Sequence, residues 1–531
     1  MNALLATLPV LATLGLLAAK VRALYAALAA LGTAAVLTAT TFRTPLADLG
    51  EAQLHMLPTL VELAAILFGG ILLSELMSRT GAQARLGARL SGACSSHSRA
   101  VMLIVFGVTP FAESLTGFGI GVVVAIPLLR QLGLAPAKAA VVGLLGLVTV
   151  PWGSLAPGSL VSAELGQVDF QELGVVSALL SAPVFLICGA AALAVAHGPR
   201  RALGAAGELL LATGTLWFTV WAVNTYIGVP LAGVLGGLAT IAVLLLVSRL
   251  QEQGREQAEP VGRALAPYAF LVLGLLAGRA ALSAAGIEEG WWTVLAGPAG
   301  WLLLTAALTP RLLGADGTEG AALPTAVTTA TARWWQVTLT TALFLILGTL
   351  LTVTGMSREI AEACAALGPA YLLLAPWIGA VGGFLAGSNT GANAMFAASQ
   401  SGAAHALGYP ALQLVGVQNV SAALASGGSV ARVLLAAELA TNSPGPQATS
   451  PAPEQQPSPT GGGQGGTATA TDTAVRTEAP ATAVRTEAPA TAVRTEESAP
   501  APVNTGHVLR TVLATHTVAF LVLGVIALLW R

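Results

Sequence analysis

Two short segments of this chain carry the residue types from which a polar site inside an apolar protein can be built. The first reads Phe111-Ala112-Glu113-Ser114-Leu115-Thr116-Gly117-Phe118-Gly119-Ile120-Gly121, just after Thr109-Pro110. The second reads Gly387-Ser388-Asn389-Thr390-Gly391-Ala392-Asn393. Each interrupts a long apolar run. Glycine and proline there free backbone N–H and C=O groups, which lipid cannot satisfy, so such backbone persists only against protein or a wet cavity. A carboxylate in that setting must be paired, protonated or hydrated. Glu113 is therefore a candidate proton carrier; the competing reading is a structural glutamate bonded to loop amides. At the second segment, N–H groups at a half-helix N-terminus attract anions. Ser388, Asn389, Thr390 and Asn393 would add donors for a carboxylate. The competing reading is a packed break whose polar groups satisfy their own backbone.

Other polar residues fall within apolar runs. Arg279 could neutralise an anion or snorkel outward. Arg432 and Glu438 stand at the end of a late run as an interfacial pair or as part of a site. Asn419, in mid-run, suits a hydrogen-bond partner of the second break. Glu62 and Glu75 pair with other helices or face a cavity, and His516 reads as a packed histidine.

These residues need elements to position them. Of 531 residues, 55% are hydrophobic and only 9% charged, and the mean hydropathy is +0.77. A soluble chain carries roughly a quarter charged residues, so this composition suits a bilayer. A span takes about 20 apolar residues. Runs near 3–19, 23–41, 56–77, 137–161, 173–197, 205–225, 229–248, 265–285, 291–309, 334–356, 411–437 and 509–529 qualify. The expected fold is an all-α polytopic bundle of about twelve spans, plus two re-entrant or broken segments at 101–129 and 370–399.

Lys and Arg favour cytoplasmic loops. Lys20, Arg22, Arg79, Arg200, Arg201, Arg249 and Arg263 fall inside, and the acidic loop of Glu164, Asp169 and Glu172 outside, if the 101–129 stretch enters and returns as a hairpin. A broken helix crossing once is the alternative. The hairpin reading makes the two interrupted segments approach the midplane from opposite faces, the pattern of an inverted repeat.

The expected domains are a membrane domain over 1–441, a disordered, low-complexity cytoplasmic linker over 442–506, and a last membrane helix over 507–531. The linker is rich in Pro, Gly, Thr and Ala and repeats TAVRTEAPA from Thr473 at nine-residue spacing. The N-terminal run lacks a basic leader and a cleavage site and reads as the first span. Cys94, Cys188 and Cys364 are isolated, which argues against a disulfide framework or a zinc site. A net charge of −1 gives no case for nucleic acid. Catalytic and nucleotide-binding motifs are missing, so the chain is expected to be no enzyme and to need no metal or cofactor.

At its two interrupted segments the sequence resembles the L-lactate permease family. Phe111, Glu113, Gly117, Phe118 and Gly119 match a segment of the form F-x-E-G-x-x-G-F-G-x-P. Gly387, Ser388, Asn389, Thr390, Asn393 and Phe396 match G-S-[DN]-T-x-x-N-x-L-F. The resemblance covers nearly the whole chain except 442–506. It implies uptake of lactate, and often glycolate, with a proton through the bacterial inner membrane. Departures are specific. The family's Glu-Gly is Glu113-Ser114, and its proline is Gly121. A late G-K-x-I-S-P-Q-S segment is replaced by Ser426 to Arg432, so Arg432 or Arg279 would take over from its lysine.

The resulting expectation is a secondary transporter: a proton-coupled symporter of a 2-hydroxymonocarboxylate. Arg279 or Arg432, with the Ser388–Asn393 amides, holds the carboxylate. Asn393 or Ser114 meets the 2-hydroxyl, Glu113 carries the proton, and Gly117, Phe118, Gly119 and Asn419 complete the site. A homodimer is left open. A sodium-coupled carrier of another anion and a non-transport subunit of a membrane complex are the alternatives.

Overall fold

The computed structural model describes residues 2–82, 85, 94, 96–117, 119–251, 262–287, 290–315, 322–445 and 503–530. Phe118 and most of the expected linker, 446–502, lie outside the described residues. The described residues belong to one unit, Met1–Pro446 with Pro502–Arg531.

Among the described residues every regular element is helical. In chain order those of nine or more residues are α1 (Asn2–Ala18), α2 (Ala23–Thr40), α3 (Leu46–Arg79), α4 (His97–Thr116), α5 (Ile120–Gln131), α6 (Pro136–Leu145), a 3-10 segment (Leu147–Leu155), α7 (Pro157–Gly166), α8 (Phe170–His197), α9 (Ala206–Tyr226), α10 (Val229–Gln251), α11 (Gly262–Ala285), α12 (Pro298–Leu312), α13 (Leu323–Val353), α14 (Met356–Ala365), α15 (Ala370–Ala386), α16 (Asn389–Ala406), α17 (Ala411–Gly427), α18 (Val430–Asn442) and α19 (Thr505–Leu529). Among the described residues ten helices are long and apolar enough to cross a membrane, or up to 11 if the bent pair α6 and the 3-10 segment is one span.

The expected count of about twelve changes because α1, the 137–161 run and the 291–309 run form helices too short or too bent to count singly, while His97–Thr116, expected as part of an interrupted segment, is long enough. The 137–161 run bends by 55° after Leu145 and continues through the 3-10 segment into α7. Ser154, Leu155 and Ala156 take left-handed φ values of 52°, 63° and 72°, which ends helical progress there. The 411–437 run divides into α17 and α18 at Gly428-Ser429. The 291–309 run becomes a 3-10 turn at Trp291–Leu295 and the 15-residue α12.

Both interrupted segments are antiparallel hairpins. In the second, Tyr371 Oη donates to Gln400 Oε1 at 2.7 Å, and Gln400 Nε2 donates to the Ala375 carbonyl at 3.2 Å, so α15 and α16 lie side by side over their length. In the first, a Cβ on Gly121 would lie 2.9 Å from the Thr109 carbonyl oxygen, which places the start of α5 against α4. α4 contains a π-helical stretch, Leu103–Val108, and the Thr109 hydroxyl donates to the Ile104 carbonyl at 2.7 Å. Such turns often adjoin functional sites.

The order long helix, hairpin, broken helix, long helix occurs twice: α3, α4/α5, α6/α7, α8 and α13, α15/α16, α17/α18, α19. The two copies run in opposite senses. Arg79 at the end of α3 bonds Thr329 near the start of α13, while Gln53 near the start of α3 bonds the Ile346 carbonyl near the end of α13. Glu75 joins the same seam, accepting from Arg79 Nε at 2.7 Å and Arg333 Nη1 at 3.2 Å. This is the architecture of an inverted repeat. Small residues let its helices touch: a Cβ on Gly383 of α15 would lie 2.0 Å from the Ala422 carbonyl oxygen of α17.

Candidate functional site

All four interruptions border one cavity of about 470 Å³. The α4/α5 turn contributes Glu113 and Gly117, and the 3-10 segment and start of α7 contribute Val150, Ser154 and Gly158. The α15/α16 turn contributes Gly387 to Gly391, and the α17/α18 break contributes Ser429, Ala431 and Arg432. Glu113, Ser429 and Arg432 form the buried floor, at 1%, 2% and 9% exposure. Arg22 and Gln336 are exposed and mark the mouth.

Glu113 is tied to the turn it precedes. Its Oε1 accepts from the Gly119 amide and its Oε2 from the Gly121 amide, both at 3.1 Å. Those amides open α5, so the carboxylate caps the positive end of that helix. Arg432 Nη2 lies 3.9 Å from Glu113 Oε1. A carboxylate can accept on both oxygens, whereas a protonated carboxyl turns one of them into a donor. The turn itself depends on Gly117, at φ 68° and ψ −160°, a region essentially confined to glycine. A Cβ there would lie 2.2 Å from Ser154 Oγ, which donates to the Thr116 carbonyl at 2.7 Å.

The rest of the floor offers donors without acceptors. Arg432 Nη1 and Ser429 Oγ are buried and have no hydrogen-bond partner. Three helices begin at the cavity wall: α7 at Pro157-Gly158, α16 at Asn389-Thr390 and α18 just after Ser429. The amide ends of these helices and the unpartnered Nη1 of Arg432 are groups whose chemistry suits a small anion. α5 also begins here, but Glu113 occupies its amides.

The model of a family described as L-lactate permease matches residues 2–270 and 293–442, a stretch that includes both hairpins and both broken helices. The chain belongs to the L-lactate permease family. An L-lactate permease of Streptococcus iniae is 25% identical over 340 residues, covering 58% of this chain and 70% of that one. Membership and the long apolar helices make this a multi-pass protein of a bacterial plasma membrane. They point to a transporter rather than an enzyme.

In this permease-family member the expected substrate contacts divide by location. Gly117, Ser388, Asn389, Thr390 and Arg432 line the cavity. Gly119 stands beside Arg432, where a Cβ would lie 3.6 Å from its Nε. Ser388 also caps α16, accepting from the Gly391 amide at 3.2 Å. Ser114, Asn393 and Asn419 sit behind the lining, because polar groups packed in an apolar bundle need protein partners. Ser114 bonds Thr149 at 3.4 Å. Arg279 is not among the lining residues and donates to the Ile227 carbonyl at the end of α9.

The amides behind the cavity form a continuous network. Asn389 and Asn393 each donate to Asn419 Oδ1 at 2.9 Å, and Asn419 Nδ2 donates to Ser159 at 2.9 Å and Ser177 at 3.0 Å. Asn393 also donates to the Gly158 carbonyl at 3.0 Å. Gln418 and Gln400 extend the chain to Tyr371. The network ties the α15/α16 hairpin and α17 to the broken helix of the other repeat and to α8. Residues not foreseen from the sequence are Ser154, Gly158, Ser429, Gln400, Gln418, Ser159, Ser177, Arg22 and Gln336. Local signals existed for Ser429, after Gly427-Gly428, and for Ser154 and Gly158, which stand among Pro151, Gly153 and Pro157.

Proposed function

We propose that this chain carries lactate across the membrane together with a proton. The observation that carries the proposal is the Arg432 guanidinium at the cavity floor, with Nη1 unpartnered and Nη2 3.9 Å from Glu113. Empty, the floor holds one positive and one negative charge. A lactate anion that takes Arg432 leaves Glu113 as an unmatched charge, which is costly within a membrane. A proton on Glu113 restores neutrality. It also removes an acceptor from the Gly119 or Gly121 amide, so proton binding loosens the α4/α5 turn. Substrate and proton then favour each other's binding, as linkage requires of a symporter.

The lactate carboxylate lies between Arg432 and the first amides of α16 and α18. Ser429 and Thr390 hydroxyls are within the same wall for the 2-hydroxyl, and Leu67, Val150 and Leu435 supply apolar surface for the methyl group. Glycolate lacks that methyl and binds more weakly, by roughly 1 kcal/mol or more. Transport moves the hairpins and broken helices relative to the α3/α13 seam. Counterflow of labelled lactate in proteoliposomes tests the assignment. Glu113→Gln keeps exchange and loses accumulation driven by a pH gradient. Equal accumulation by the variant and the native protein would remove Glu113 from the coupling.

A further inference from the structure

The mouth of the cavity holds a charge that the floor does not use. Arg22, between α1 and α2, lines the cavity and is exposed, with its Nη2 3.4 Å from Gln336 Oε1 of α13. Among the described residues no carboxylate pairs with it. Among the described residues Glu113 is the only acidic one lining the cavity, and it faces Arg432. The lining therefore carries one net positive charge, from two guanidiniums against one carboxylate. That surplus sits at the entrance. Gln336 accepts from Arg22 through a long, exposed bond, which a carboxylate can readily displace because ionised acceptors bond a guanidinium more strongly.

We propose that Arg22, with Gln336, is an entry station for the substrate carboxylate, distinct from the deep site at Arg432. The inference rests on the proposed anion transport and extends it. A cleft with one sign of charge and low-dielectric walls concentrates the opposite ion and raises its rate of capture. Arg22 lies at the membrane end that also holds Arg333 and Arg79, since Gln336 is one turn from Arg333 on α13. Those arginines belong to the cytoplasmic side by the positive-inside rule. The station therefore serves the cytoplasmic face. It takes up lactate that enters from the cytosol or holds it briefly on release.

The test uses the full chain in right-side-out membrane vesicles, with lactate varied on one side at a time and at low and high salt. Arg22→Gln is expected to raise the half-saturating internal lactate about fivefold at low ionic strength, with the difference shrinking in high salt as screening shortens the field. Half-saturation from outside stays at the native value. Arg22→Lys, which keeps the charge, restores the native internal value. The same internal half-saturation and salt dependence in Arg22→Gln as in the native protein would overturn the entry station. So would an equal shift on both faces, or no rescue by lysine. Absence of lactate flux in the native protein would instead bring down the transport assignment itself.

Discussion

Arg432 Nη2 stands 3.9 Å from Glu113 Oε1, while Nη1 of the same guanidinium is buried with no partner. The pair is only partly closed, and that makes the arginine both a counter-ion and a free donor. A buried cation whose carboxylate is removed, or the reverse, costs about 3–5 kcal/mol.

Arg432→Gln is accordingly expected to abolish measurable lactate binding and to lower the unfolding temperature of the detergent-solubilised protein. The double variant Glu113→Gln with Arg432→Gln should recover much of the lost stability but no binding. Thermal unfolding of all four proteins, with and without lactate, checks the cycle. A double variant as unstable as the sum of the singles would show that the two residues do not act on one another.

Gly117→Ala is expected to be inactive. The added methyl would sit 2.2 Å from Ser154 Oγ, and alanine does not adopt φ 68°, ψ −160°. Pairing it with Ser154→Gly relieves the contact but not the backbone strain, so less than a tenth of native uptake should return. Full recovery in the double variant would mean that the steric contact alone, and not the turn conformation, sets the requirement for glycine.

Asn419→Leu removes the acceptor of two donors and the donor to two serines. Hydrogen bonds within membrane bundles average about 0.6 kcal/mol each, so the loss is roughly 2 kcal/mol. Because the network ties α16 and α17 to α7 and α8, the expected effect is a lower unfolding temperature and slower transport, with lactate half-saturation within about threefold of native. A large change in half-saturation with unchanged stability would place Asn419 in the substrate's path.

The hairpin turns were legible because Gly117 and Gly387 stand in otherwise apolar runs with Glu113 and Ser388 beside them. The two other breaks were not. Pro151, Gly153 and Pro157-Gly158 mark a break in the 137–161 run, but its high apolar content outweighs them in a span reading, and the left-handed residues themselves, Ser154, Leu155 and Ala156, include no glycine. The amide network was hidden for another reason. Asn419 meets Ser159 and Ser177 across some 240 to 260 positions of chain, and only the folded inverted repeat brings them together. Arg432 and Arg279 were indistinguishable in sequence as candidates to hold an anion. Their surroundings separate them, since one lines the cavity beside Glu113 and the other bonds a helix end at Ile227.

Lactate uptake by proteoliposomes containing the purified chain tests the central claim most directly. An imposed pH gradient, alkaline inside, should drive accumulation above equilibrium in sodium-free buffer, and collapsing the gradient with a protonophore should abolish it. Accumulation that ignores the pH gradient and follows a sodium gradient would contradict the proton-coupled account.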